Sequence, residues 1–175
     1  IDFRLADASE QFVKSLQFTG FSVLHHHPIN MELVNEVYYQ WTNFFKSIQK
    51  QNYLFHPVKQ DGYFPFKSEH AKGSDEKDLK EFFHIYPWGR CPEPLEEKTR
   101  LLYSQLVELA SQLLTWIEKE VPSEISSNFS TPLHKMIEDS SQNLLRIINY
   151  PAINGDEEPS EIRAAAHEDI NLITV

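Results

Sequence analysis

Cysteine is almost absent from this chain of 175 residues, because Cys91 is the only one. An internal disulfide is therefore impossible, which suits a reducing compartment, and we expect a cytoplasmic protein. Long apolar stretches are lacking as well. No run approaches the roughly 20 residues that cross a bilayer, and the first residues lack the pattern of a secretory signal. These absences argue against a membrane partner.

Positive charge is also scarce, with 16 Lys and Arg against 26 Asp and Glu and a formal net charge of −10. Such a surface repels phosphate groups, so we expect no nucleic-acid partner. Apolar side chains, in contrast, make up 41% of the chain, and aromatic ones 13%. These proportions favour a packed globular protein over a disordered one, and the length suits a single domain with a sizeable core.

Apolar residues at helical spacing predict several helices. The first runs from Ser9, as its N-cap, to Phe18, and Gly20 ends it. A second begins after Asn30 and reaches about Ile48. The longest spans 94–121, and a short helix is predicted at 132–139. The second helix carries an apolar stripe that we expect to be core: Val34, Val37, Tyr38, Trp41, Phe44, Phe45 and Ile48.

Short runs of β-branched and aromatic residues predict strands at 21–24, 82–86, 143–150 and 170–175. The region from Lys50 to Pro94 is otherwise rich in proline and glycine and is predicted to be mostly loop. Helices followed by strands indicate an α+β fold, or a helical flank on a β core.

His167 and Asp169 are the best candidates for chemistry. They open the apolar run 170–175, and residues two apart on a strand point to the same face, so the imidazole and the carboxylate project together. Glu168 is predicted to point the other way and not to bind metal. Two histidines and a carboxylate on one side of an Fe(II) ion are the ligands of non-haem oxygenases. The alternative is a surface histidine beside a solvated acid.

Other histidines are weaker candidates. On an extended chain His25 and His27 would share a face while His26 would not, and a polar turn is favoured over a metal site there. His84 would point away from Phe83 and Ile85, and we expect it to be partly exposed. A zinc hydrolase built from His25, His27 and His167 is disfavoured because the His-Glu-x-x-His spacing is missing.

Three stretches, in order, resemble a known family. Gly20–Ile29 is similar to its "GFF.L.NHGI" segment, with Pro28 in place of the glycine. Asp61–His84 contains the pattern "GY.PF…AKG…DLKEFFH". Leu144–Asp169 contains "LLR…YP…RAAAHED". The chain thus resembles the isopenicillin N synthase-like family of Fe(II)/2-oxoglutarate-dependent oxygenases. Ile148 stands where the plant-type pattern has an asparagine. In this respect the chain is closer to the bacterial-type members.

This resemblance implies a double-stranded β-helix, or jelly-roll, core behind a helical N-terminal region. It places the helix-rich region at 1–122 and the first part of the jelly roll, with the His-x-Asp motif, at 123–175. The run 170–175 then stops partway through that core, and we expect sequence beyond Val175. There the family carries a third ligand, a histidine, and an Arg-x-Ser pair that holds the far carboxylate of 2-oxoglutarate.

The resemblance also implies the chemistry. His167 and Asp169 would be ligands of a catalytic Fe(II). Tyr150 would contact a carboxylate of the cosubstrate or the substrate. With 2-oxoglutarate and dioxygen, such an enzyme oxidises a C–H bond of a small organic molecule by hydroxylation, desaturation or ring closure. Two alternatives stay open: an oxidase that uses no 2-oxoglutarate, as isopenicillin N synthase itself does, and a non-catalytic binding protein with a decayed metal site.

Overall fold

The computed structural model describes residues 1–69, 78–152, 155, 162–164, 167 and 169–175. The helices are α1 (Ala8–Thr19), α2 (Met31–Lys46), a 3₁₀ helix (Ile48–Tyr53), α3 (Glu93–Glu120), α4 (Ser123–Ser126) and α5 (Leu133–Ile137), and the strands are β1 (Gly62–Phe64), β2 (Glu81–Ile85) and β3 (Leu145–Asn149). None of the helices described is both long and apolar enough to pass through a bilayer. The predicted mixture of helices and sheet is confirmed.

The chain divides into two compact units that are interleaved in sequence. The first holds residues 1–34, 100–140 and 172–175, and the second holds residues 35–99 and 141–171. Helices α2 and α3 each begin in one unit and continue into the other along the chain. The expected division into a helix-rich region at 1–122 and the first part of a jelly roll at 123–175 stays a prediction.

Helices dominate the first unit. The ring of Trp116 on α3 lies 4.7 Å from that of Phe3 and 5.8 Å from that of Phe12 on α1. Gly20 ends α1 in the left-handed conformation, with φ 71°, as predicted. The prediction of Ser9 as N-cap is wrong: the helix already begins at Ala8, and the buried Ser9 hydroxyl donates to the Glu120 carboxylate over 2.7 Å.

The start of α2 is as predicted, and its apolar stripe is only partly so. The Asn30 side-chain oxygen accepts hydrogen bonds from the amides of Glu32 and Leu33, at 2.9 and 3.2 Å. Tyr38 and Ile48 are exposed, so the buried arc is narrower than expected. Ile48 leaves the helical track because α2 ends at Lys46 and a 3₁₀ helix follows. The stripe residues that are buried are Val37, Trp41, Phe44 and Phe45.

The second unit is built on an antiparallel sheet in the order β1-β2-β3. Phe83 of β2 is fully buried, and its ring lies 5.0 Å from Trp41 and 5.8 Å from Phe44 on α2. The Trp41 indole N–H donates to the Thr99 hydroxyl over 2.9 Å, so this buried polar group has a partner. One face of the sheet is therefore covered by α2.

Two predicted strands are wrong. Residues 169–175 contain no strand, and the side chains of Ile170, Leu172 and Val175 are exposed. β-branched residues favour a strand only where a neighbouring strand pairs with them, and the described sheet consists of β1, β2 and β3. The run 21–24 is not a strand either; beside it, His25 forms an isolated parallel bridge with Asp2.

Candidate active site

His167 and Asp169 come together as the sequence predicts. The His167 Nε2 atom lies 3.4 Å from the Asp169 Oδ1 atom, and the side chains are 55% and 63% exposed. Two ligands that each bind one metal ion at about 2.1 Å, at octahedral or tetrahedral angles, are about 3.0–3.4 Å apart. An imidazole and a carboxylate at this distance therefore fit a single divalent ion.

The pair is accessible and does not depend on a regular strand. The two side chains lie close together although 169–175 is not a strand. Glu168 lies outside the described residues, as do Ala165 and Ala166. The direction of the Glu168 side chain therefore stays a prediction.

Tyr150 follows directly after β3 and is 38% exposed. The Arg163 guanidinium carbon lies 6.0 Å from the centre of its ring, and an Arg163 N–H donates to the Pro151 carbonyl over 3.3 Å. A phenol and a guanidinium are both donors suited to a carboxylate. The role that the resemblance implies for Tyr150 stays a prediction.

The strand register places His84 of β2 directly opposite Arg146 of β3. Side chains of β3 alternate, so Arg146 and Ile148 project to one face and Asn149 to the other. An Arg146 Nη2 donates to the Glu69 carboxylate at 2.6 and 2.8 Å. Its buried Nε has no hydrogen-bond partner among the described residues.

The expectation that His84 is partly exposed is wrong, because only 9% of the residue is accessible. Its ring lies 4.6 Å from Phe64 and 4.9 Å from Phe82, which exclude water. The His84 Nδ1–H donates to the Gln60 carbonyl over 3.0 Å, so the Nε2 atom of the neutral ring is an acceptor. Within the described part of the chain this Nε2 atom has no hydrogen-bond partner. Burial lowers the pKa of His84 to about 4, which keeps the ring neutral.

The opposite face of β2 and β3 holds a buried carboxylate. Glu81 accepts hydrogen bonds from Lys50 and Asn149, both over 2.8 Å, and a short one from the Tyr63 hydroxyl. Burial, and then this carboxylate, raises the pKa of Tyr63 well above its usual range. The hydrogen bond from Asn149 to Glu81 fixes the last residue of β3, and Tyr150 follows directly after it.

Sequence reasoning missed the juxtaposition of His84 and Arg146. Both residues stand in the motifs that carry the resemblance, but their pairing depends on a register between distant strands, which periodicity does not reveal. The available signal was local: alternation along β3 gives the face of Arg146 on its own strand but not the residue opposite it.

Three comparisons with known proteins complete the description. The family profile described as non-haem dioxygenase in morphine synthesis N-terminal matches residues 2–111. A protein from Shewanella oneidensis called a "Putative oxygenase" has a crystal structure that superposes with a TM-score of 0.86 at 49% identity. It is matched over 98% of this chain and 61% of its own. No curated protein matches the chain.

A second crystal structure shows the same fold at lower similarity. It is that of a "putative 2OG-Fe(II) oxygenase family protein" from Caulobacter crescentus, with a TM-score of 0.71 and 24% identity. The match covers 98% of this chain and 60% of that one. The chain therefore spans about three fifths of the length of the solved structures it resembles.

A mixed helix–sheet fold and an imidazole close to a carboxylate are compatible with a non-haem oxygenase, in which two histidines and one carboxylate bind Fe(II). The chain belongs to the family of non-haem dioxygenases whose N-terminal part matches residues 2–111. The resemblance to isopenicillin N synthase-like oxygenases is thereby confirmed. The matched stretch ends before Tyr150, His167 and Asp169, so their individual roles stay predictions.

Proposed function

We propose that this chain is part of a non-haem Fe(II)- and 2-oxoglutarate-dependent oxygenase with a jelly-roll core, acting on a C–H bond of a small organic substrate. The observation that carries the proposal is the 3.4 Å separation of His167 Nε2 and Asp169 Oδ1, in a chain of the non-haem dioxygenase family. The name of the Shewanella relative, an oxygenase, supports it.

Within this proposal His167 binds iron through its neutral imidazole, and Asp169 supplies a negative charge that favours a divalent ion. The iron, when bound, supplies the activation of dioxygen that an organic side chain cannot provide. The phenol of Tyr150, with Arg163 beside it, holds a carboxylate of the cosubstrate or substrate.

The test is an anaerobic titration of the full-length protein with Fe(II), with and without 2-oxoglutarate, followed by visible absorption. Iron binding with a weak charge-transfer band that needs 2-oxoglutarate is the expected result, since a chelating cosubstrate completes an open coordination site. His167→Ala and Asp169→Ala should each abolish iron binding. Glu168→Gln is the matched control and should retain most of it, because that side chain is predicted to face away.

Other outcomes select the other candidates. Iron binding without the band, together with oxygen consumption that does not require 2-oxoglutarate, would favour the oxidase. No iron binding would make His167 and Asp169 a chance pair, and a non-catalytic binding protein would be the better description. Equal loss of iron in Glu168→Gln would contradict the assignment of faces.

A further inference from the structure

The first unit contains a separate set of metal-binding side chains. Among the residues that the structure describes, Asp2, His25 and His26 are the one group of three such side chains whose ligand atoms all lie within 4.8 Å of one another. We propose that these three residues form a second metal site, for a divalent transition ion of the zinc, nickel or copper class. It shares no residue with the candidate iron pair.

The backbone brings these residues together in two ways. Asp2 and His25 form a parallel bridge, in which the Phe3 amide donates to the His25 carbonyl over 3.0 Å. His26 then adopts a left-handed conformation, with φ 57°. Consecutive residues on an extended chain point to opposite sides, and this turn instead brings the rings of His25 and His26 to 4.6 Å between centroids. The chain is therefore not extended here, and the turn that the sequence favours at these histidines is present.

The distances between ligand atoms suit coordination. The Nδ1 atoms of His25 and His26 are 2.8 Å apart, and the His26 Nδ1 is 3.0 Å from the Asp2 Oδ2. Neighbouring ligands at right angles, each about 2.1 Å from a metal, are about 3.0 Å apart. The hydrogen bond between the two Nδ1 atoms needs a proton on one of them, and that proton must leave when both nitrogens bind a metal ion. Imidazole nitrogen with a carboxylate is a donor set that zinc, nickel and copper accept.

One cation competes for the same carboxylate. The Arg4 Nη2 donates to the Asp2 Oδ2 over 2.8 Å and its Nε donates to Oδ1 over 3.0 Å. The Arg4 side chain is 64% exposed, so it can turn into solvent when a divalent ion arrives. Arg4 is therefore expected to weaken metal binding and not to prevent it.

Metal binding here would tie the segment around Asp2 to the turn at His25 and His26. That link closes a loop that includes α1, so it should stabilise the folded first unit in proportion to metal affinity. The expected role is structural, independent of the oxygenase chemistry and of the cosubstrate.

The experiment uses the full chain with His167→Ala and Asp169→Ala in the background, so that the candidate iron pair does not contribute. Zn²⁺ is titrated in by calorimetry, and the melting temperature is measured with and without Zn²⁺. One equivalent of Zn²⁺ should bind and raise the melting temperature. His26→Ala and Asp2→Asn should each weaken binding at least tenfold and remove the rise, whereas Arg4→Gln should bind at least as tightly as the parent.

His27→Gln is the matched control, because it changes the next histidine in the chain and should retain the Zn²⁺ affinity. Circular dichroism without metal checks that each variant is folded, and Asp2→Asn, a change that keeps the size of the side chain, tests the site if His26→Ala does not fold. Unchanged affinity in Asp2→Asn, an equal loss in His27→Gln, weaker binding in Arg4→Gln or no Zn²⁺ binding at all would overturn the proposal.

Discussion

At the scale of single residues, His84 shows how a neutral imidazole is maintained inside a sheet face. Its Nδ1–H is held by the Gln60 carbonyl, its flanks are aromatic, and Arg146 opposite disfavours a second positive charge. Folding therefore selects the form of the ring that can accept a hydrogen bond at Nε2. The consequence is a stability that depends on pH.

Lowering the pH should destabilise the fold through His84. Its pKa falls from an ordinary value of 6.5 to about 4 in the folded protein. Between these values the unfolded chain binds a proton that the folded chain does not, so stability present above pH 6.5 is lost as the pH falls towards 4. Urea unfolding at neutral pH and near pH 4.5 should show a loss on the order of 2 kcal/mol from this residue.

His84→Gln is the comparison, because glutamine keeps a polar side chain without titrating in this range. The variant should be less stable at neutral pH, and its stability should fall less on acidification. The same acid-induced loss in parent and variant would show that other groups cause it.

The closeness of His167 and Asp169 could be predicted from their spacing of two residues, whereas their binding of iron stays a prediction. The burial of His84 could not be predicted, because it depends on Arg146 and on Phe64 of a different strand. The cluster of Asp2 with His25 and His26 was also hidden, since it needs a left-handed residue that is not glycine.

At the scale of elements, β1 depends on one glycine. Gly62 has φ +105°, and a Cβ there would lie 2.6 Å from both the Arg90 Nη2 and the Tyr53 carbonyl oxygen. The Arg90 side chain is itself fixed, because its Nε donates to the buried Asp61 carboxylate over 3.0 Å and its Nη2 to the Leu54 carbonyl over 2.9 Å. The Arg90 side chain and the Tyr53 main chain therefore leave no room for a side chain at position 62.

Gly62→Ala should therefore lower the free energy of unfolding by about 3 kcal/mol, combining backbone strain with a clash against main chain. Gly20→Ala is the control: it also has positive φ, +71°, but open space around the new Cβ. It should cost about 1 kcal/mol from strain alone. Chemical denaturation of both variants measures the difference, and equal losses would argue against crowding at Gly62.

Helices were the more predictable elements, because their periodicity and caps are local. Asn30 and Gly20 act as their sequence positions indicate. Strands were less predictable, because the run 170–175 has the composition of a strand and yet lies outside the described sheet. Leu145–Asn149, with similar composition, is a strand because β2 pairs with it.

At the scale of the whole chain, the net charge of −10 makes a clear prediction about partners. Even at about 10 mM salt, where long-range electrostatics are least screened, a labelled DNA duplex should show no rise in fluorescence anisotropy with added protein. Repulsion between the acidic surface and the phosphates is the reason. Saturable binding that weakens steeply with salt would contradict this prediction and point to a local basic surface.

The placement of the three tryptophans has a practical consequence. Trp41 is buried in the second unit with its N–H on Thr99, Trp116 packs on Phe3 and Phe12 in the first, and Trp88 is 45% exposed. Intrinsic emission therefore contains contributions from separate environments, blue-shifted for Trp41 and red-shifted for Trp88. With Trp116 replaced by phenylalanine, the fluorescence of this chain reports on the second unit, and with both Trp41 and Trp88 replaced it reports on the first, without any attached dye.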